Sequence, residues 1–171
     1  MNRICVIGCG GAGKSTFSRK LHHLTGTPLI HLDTLFWTEG WIEEDKNIFH
    51  NKLNHALSGE RWIIDGNFHN TMPQRFAQTD TIIWLDYSTL RCLYGVIKRI
   101  MKDHGKTRTD MAKGCREKFD WPFLTYVLRF RTKTRPKIVT ILDTHAKHCK
   151  ILIFRAPNDM NLWLKNYDKQ N

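Results

Sequence analysis

Residues 8–15 read Gly-Cys-Gly-Gly-Ala-Gly-Lys-Ser and are followed by Thr16. They match the pattern G-x-x-x-x-G-K-[ST] at every fixed position. Such a loop works only between a buried strand and the start of a helix, so it dictates the local fold. Both flanks are present. Ile4-Cys5-Val6-Ile7 is a short apolar run of the kind that forms buried parallel strands. Phe17, Leu21 and Leu24 then recur at helical spacing among Arg19, Lys20, His22 and His23. Glycines let the backbone wrap a phosphate closely, and its N–H groups converge where the helix dipole favours anions. Lys14 adds a mobile charge for the β- and γ-phosphates, and the Ser15 hydroxyl is suited to ligate Mg²⁺. The motif therefore predicts that ATP with Mg²⁺ is held by Gly8, Gly10, Gly11, Ala12, Gly13, Lys14, Ser15 and Thr16.

The rest of the chain alternates strand and helix patterns. Strand-like runs fall at Ile4–Ile7, Leu29–Leu32, Trp62–Asp65, Thr81–Asp86 and Ile151–Phe154. That alternation predicts an α/β fold with a mostly parallel sheet. Helices are expected over about 43–57, from Pro73, and from Ser88 to Met101 with Leu90, Leu93, Val96, Ile97 and Ile100 buried. Further helices are expected over about 115–131, bent or restarted at Pro122, from Pro136 to about Lys147, and after a cap at Asn158. Residues 102–113 are polar and basic, which suits a loop or mobile cover.

At 171 residues the chain has the length of one domain, with the core expected over about 1–90 and 136–171 and a basic lid over about 91–135. No apolar run approaches the roughly 18 residues of a membrane span, and no secretory pattern opens the chain. Cys5, Cys9, Cys92, Cys115 and Cys149 are odd in number and include no C-x-x-C pair. The expectation is a cytoplasmic protein with reduced thiols. The net charge of +11 is unevenly spread: residues 91–155 carry 17 Lys and Arg against 5 Asp and Glu. Either a nucleic-acid surface or a gathering of cations around nucleotide phosphates would explain that excess.

Several residues outside the loop are candidates for chemistry. Asp33 follows His31-Leu32 at the end of a strand, on the sheet edge where ligands bind in open α/β folds. It could meet a substrate hydroxyl or cap the next segment. Asp65, before Gly66 and Asn67, ends another apolar strand and could hold Mg²⁺ through its water shell. Asp86 is its rival on local pattern alone. Arg75 could pair with an acidic substrate or lie on the surface. Trp37 and Trp41 could stack on a planar substrate or join the core, and Arg155 could line a nucleotide base or a simple turn.

These motifs resemble the adenylate kinase-like P-loop kinases, and within them the bacterial proteins labelled DNA topology modulation proteins. The resemblance rests on GCGGAGKST, HLD with Trp37, IIDGNF with Arg75, the GKTRTDMAKGCREKFDWPFL block and the late ILIF strand. It implies a three-layer α/β/α P-loop fold, a five-stranded parallel sheet in order 2-3-1-4-5, and phosphoryl transfer from ATP under a closing lid. Asp65-Gly66 matches the DG of the nucleoside-monophosphate kinase signature D-G-F-P-R, which favours Asp65 over Asp86. Asn67-Phe68-His69 then replaces F-P-R, displacing the arginine that would hold a monophosphate. Asp33 sits where shikimate and gluconate kinases place an acid on a substrate hydroxyl. Arg99 matches the arginine that stacks on adenine, and Arg129 and Arg131 fall roughly where lid arginines reach the transferred phosphate. The expected function is that of a small-molecule kinase acting on a hydroxyl- or phosphate-bearing acceptor, the rival being a nucleic-acid-associated ATPase.

Overall fold

The protein is described here over residues 1–169 by a computed structural model. Five parallel strands make one sheet: β1 (Arg3–Gly8), β2 (Leu29–His31), β3 (Trp62–Asp65), β4 (Thr81–Leu85) and β5 (Lys150–Phe154). Their spatial order is β2-β3-β1-β4-β5, as the resemblance implies. β1 lies at the centre, with Ile4 opposite both Ile63 of β3 and Thr81 of β4. Residues 4–7 are fully buried, which is why that run is apolar without alternation. The chain lays β2 and β3 on one side of β1 and β4 and β5 on the other, so the connections switch direction beside β1 and open a crevice at the carboxyl edge.

Among the described residues eight α-helices pack around the sheet in three α/β/α layers: α1 (Lys14–Thr25), α2 (Leu32–Phe36), α3 (Lys46–Leu57), α4 (Met72–Ala77), α5 (Thr89–Asp103), α6 (Trp121–Arg129), α7 (Arg135–His145) and α8 (Pro157–Asp168). A wide π turn over Phe130–Thr134 joins α6 to α7. Two elements escaped the sequence pattern: the five-residue α2, and a ribbon pairing Trp37–Thr38 with Ile42–Glu43.

Other expectations need correction. Leu90 and Ile97 on α5 are 79% and 52% exposed. The buried side of α5 is Cys92 and Val96, with Gly95 between them. A Cβ on Gly95 would lie 2.1 Å from the Gly11 carbonyl oxygen, so α5 presses its narrow side on the P-loop and turns its larger residues outward. α6 starts at Trp121 rather than near 115, because the Asp120 side chain caps the Phe123 N–H and Pro122 occupies the first turn. Residues 104–120 form an irregular lid, folded back on itself by bridges between His104 and Glu117 and between Thr107 and Arg116. α5 and α6 themselves contribute Cys92, Val96 and Val127 to the core. α8 begins at Pro157 with Ala156 in the capping position, so Asn158 lies inside the helix instead of capping it.

Candidate active site

A cleft of about 1040 Å³ opens at the carboxyl edge of the sheet, beneath α5, α6 and the lid. Gly10, Gly11, Gly13, Lys14, Ser15 and Thr16 line it. Gly13 caps α1 without a side-chain hydrogen bond, so the first-turn N–H groups are left to a ligand. Lys14 Nζ donates to the Cys9 carbonyl, 3.1 Å away, across the loop. Gly8 and Ala12 support the loop from behind and do not line the cleft. The Gly8 N–H donates to Asn67 Oδ1 at 3.1 Å, and the Ala12 N–H to the Cys9 carbonyl at 3.2 Å.

Asp65 ends β3 beside the loop and is 4% exposed. Its Oδ1 lies 2.7 Å from His31 Nδ1, whereas its Oδ2 is buried with no hydrogen-bond partner. A buried carboxylate oxygen needs a donor or a cation. A Mg²⁺ ion shared with Ser15 and the nucleotide phosphates suits it, since Mg²⁺ takes few protein ligands and keeps its phosphates. Among the described residues no group of three His, Cys, Asp or Glu side chains is placed to hold a metal by itself. Asp86 is excluded from this role by its partners: Arg135 grips both of its oxygens at 2.9–3.1 Å, and it does not line the cleft. Burial disfavours the charged form of His31, but the hydrogen bond and charge of Asp65 outweigh it and raise the imidazole above its usual 6.5.

The opposite wall holds Asp33 in the first turn of α2, and Trp37 and Trp41 on the ribbon. Burial raises the Asp33 carboxyl above its usual 3.8, with Lys14 and Arg108 opposing and Asp65 and Asp110 reinforcing the shift. Gly66 has φ +132°, and a Cβ there would meet the Leu32 side chain at 2.9 Å, so the turn after β3 requires glycine. Asn67 ties two distant elements together: its Oδ1 accepts from the Gly8 N–H and its Nδ2 donates to the Tyr126 hydroxyl at 2.9 Å.

The arginines are where pattern and structure part. Arg75 is fully buried and holds backbone instead of facing the cleft. Its guanidinium donates to the Gly66 carbonyl (3.2 Å), the Asn67 carbonyl and Thr71 Oγ1 (3.1 Å). Arg129 and Arg155 are exposed and lie outside the cleft. Arg131 does not line it either; its Nη1 donates to the Tyr87 carbonyl at 3.4 Å and lies 3.9 Å from Asp86. Arg99 does line the cleft, stacked 5.2 Å over Phe123 and bound to Glu117 at 2.9 Å.

Arg108 lines the cleft from the segment after α5, held between Asp110 (3.7 Å) and Glu117 (3.2 Å). Asp110 is drawn below the usual carboxylate range despite burial, by Arg108 and by the Ser15 hydroxyl. Lys98, Arg99, Lys102, Lys106, Arg108 and Lys118 all line the cleft, so much of the basic excess surrounds the phosphate site. The pattern counts Arg108 only as one of the basic-segment cations suited to an anionic ligand, and it misses Asp110 and Tyr126. The first two sit in the TRTD stretch that reads as plain basic lid, and nothing local to Tyr126 announces its bond to Asn67.

Comparison with solved structures gives the same architecture. A shikimate kinase from Acinetobacter baumannii in complex with shikimate superposes with a TM-score of 0.58 at 16% identity, covering 99% of this chain and 92% of that one. A shikimate kinase from Bacteroides thetaiotaomicron gives 0.57 at 18%, covering 99% and 97%. The chain shares the α/β/α fold of these two structures. No protein-family model matches the chain, and no curated protein matches it by sequence. Among the described residues no helix is long and apolar enough to cross a membrane.

Proposed function

We propose that the protein is an ATP-dependent small-molecule kinase that moves the γ-phosphoryl group of Mg·ATP to an acceptor hydroxyl. One observation carries this reading: the P-loop and Asp33 face the same cleft, with a cationic lid above them. Phosphoryl transfer asks little covalent help of a protein; it asks for alignment and for compensation of negative charge. Mg²⁺ bound to the nucleotide supplies part of that compensation. Loop N–H groups and Lys14 hold the β- and γ-phosphates, which requires Lys14 to leave the Cys9 carbonyl. Ser15 and Asp65 are the groups suited to the metal, and His31 fixes the orientation of Asp65.

Asp33 accepts the proton of the acceptor hydroxyl as its oxygen attacks the γ-phosphorus. The bond from that phosphorus to the β-bridging oxygen breaks, and ADP leaves with the electron pair. Arg108 lies near Asp33 and is suited to the transferred group once the lid closes. The test is ADP release above basal hydrolysis with a panel of hydroxylated acceptors. The reading predicts an acceptor-dependent rate that Lys14→Ala abolishes and Asp33→Asn depresses without weakening Mg·ATP binding. Equal loss of binding and transfer in Asp33→Asn would remove Asp33 from the acceptor side.

A further inference from the structure

We infer that the acceptor is a ring-bearing alcohol with no anionic group, held against Trp37 and Trp41 with its hydroxyl on Asp33. This rests on the kinase reading above and names its substrate class.

The wall opposite the phosphates decides the charge. Residues 29–68 contribute two carboxylates, Asp33 and Asp65, the amide Asn67, and the aromatic rings Trp37, Trp41 and Phe68, besides Gly66. No cation comes from this wall. Arg75, from the turn where an anion-binding arginine would be expected, is spent on the Gly66 and Asn67 carbonyls. Arg61, the other arginine near the end of this segment, bonds the Thr25 carbonyl and Thr27 Oγ1 instead. The cationic side chains lining the cleft come from α1, α5 and the lid. Of their guanidinium groups, Arg99 pairs with Glu117, Arg108 with Glu117 and Asp110, and Arg19 donates to Thr109. A carboxylate or phosphate on the acceptor would face Asp33 and Asp65 with no cation on its own wall to pair with, an unfavourable arrangement that acts as selection against anions.

The same wall is shaped for a ring. Trp37 and Trp41 meet edge to face, with centroids 5.6 Å apart and planes at 70°. Trp41 is anchored to the lid through Nε1, which donates to the Arg116 carbonyl at 3.1 Å. Trp41 and Phe68, with φ of +66° and +37°, are the two non-glycine residues at positive φ among the described residues. Bulky side chains seldom adopt that conformation, and such strain persists where the surroundings enforce it. Both strained rings lie on the acceptor wall. Indole faces suit a flat base or the C–H face of a sugar, and Asp33 supplies the acceptor for its hydroxyl.

The test uses the full chain with Mg·AMP-PNP, a non-transferring nucleotide analogue. Calorimetry is run with nucleosides, with neutral or amine-bearing sugars and cyclitols, with hydroxy acids and with nucleoside monophosphates. ADP release with ATP is then measured on whatever binds. Saturable binding and turnover are expected in the first two groups. Trp41→Ala should raise the acceptor KM about tenfold, as loss of one stacking surface does, with the ATP KM unchanged, and Trp41→Phe should restore much of it. A hydroxy acid or monophosphate that binds more tightly than every non-anionic ring alcohol overturns the inference and leaves the kinase reading intact. Absence of binding by any ring alcohol, on protein that binds Mg·AMP-PNP, overturns it equally. Failure to bind Mg·AMP-PNP overturns the kinase reading, and the acceptor assignment with it.

Discussion

At one end of the cleft, Gly10, Gly11, Gly13, Lys14 and Ser15 of a single short loop line the surface, with the free N–H groups of the α1 start beside them. At the proposed acceptor end, Asp33, Trp41, Asn67 and Tyr126 arrive from four separate segments and present side chains. The first surface is set by backbone conformation and a helix start, an arrangement that suits phosphate whatever carries it. The second depends on how α2, the ribbon, the turn after β3 and α6 are packed, so it is free to select one substrate class while the first stays constant. Asn67 joins the two, with one end of its amide on the Gly8 N–H and the other on Tyr126.

Substitutions should separate the two ends. The largest effect belongs to Lys14→Ala, which removes the charge opposite the γ-phosphate and should cost about a thousandfold in kcat or more, read by ADP release. Asp33→Asn should cost about a hundredfold or more in transfer, while calorimetry finds Mg·ATP affinity unchanged. A comparable loss of nucleotide affinity would mean that the two ends are not independent. Gly95→Ala lies outside the motif, yet its new Cβ would press on the Gly11 carbonyl at 2.1 Å. That overpacking should weaken Mg·ATP about tenfold and leave acceptor discrimination untouched.

Arg75→Met tests the acceptor side as structure. It leaves the Gly66 and Asn67 carbonyls without their donor, at about 1–3 kcal/mol each, so Tm should drop by several degrees in thermal unfolding. The smallest effect concerns pH. His31 is raised above 6.5, so its ion pair with Asp65 contributes fully below that value and is lost as pH rises through the raised one. Wild-type stability should therefore decline on that upward pH step relative to His31→Asn, as read by chemical unfolding at each pH.

The two ends also differ in how far the sequence reveals them. The loop is legible because its chemistry is local: glycines, a lysine and a serine at fixed spacing need only a strand before and a helix after. The five strands are legible as apolar runs, and burial explains the unbroken runs of β1, β3 and β4, whereas the edge strand β5 leaves Ile151 and Ile153 exposed. The ribbon is not, since strands of two residues leave no period to detect. Arg75 looks like a surface or ligand arginine because its fate depends on the Gly66 turn folding back over α4, a tertiary event. Asp110 and Glu117 are hidden in a stretch that reads as uniformly basic, although they are the groups that hold Arg108. Leu90 and Ile97 mislead for the opposite reason. Their helical spacing is genuine, but α5 gives its inward face to Gly95 because the P-loop leaves no room for anything larger.

The most direct trial of the whole account is a calorimetric titration of the folded chain with Mg·ATP, repeated on Lys14→Ala. The account predicts one site per chain, saturating in the micromolar range for wild type and severely weakened in the variant. Absence of heat from well-folded wild-type protein, or equal binding by the two proteins, would contradict it.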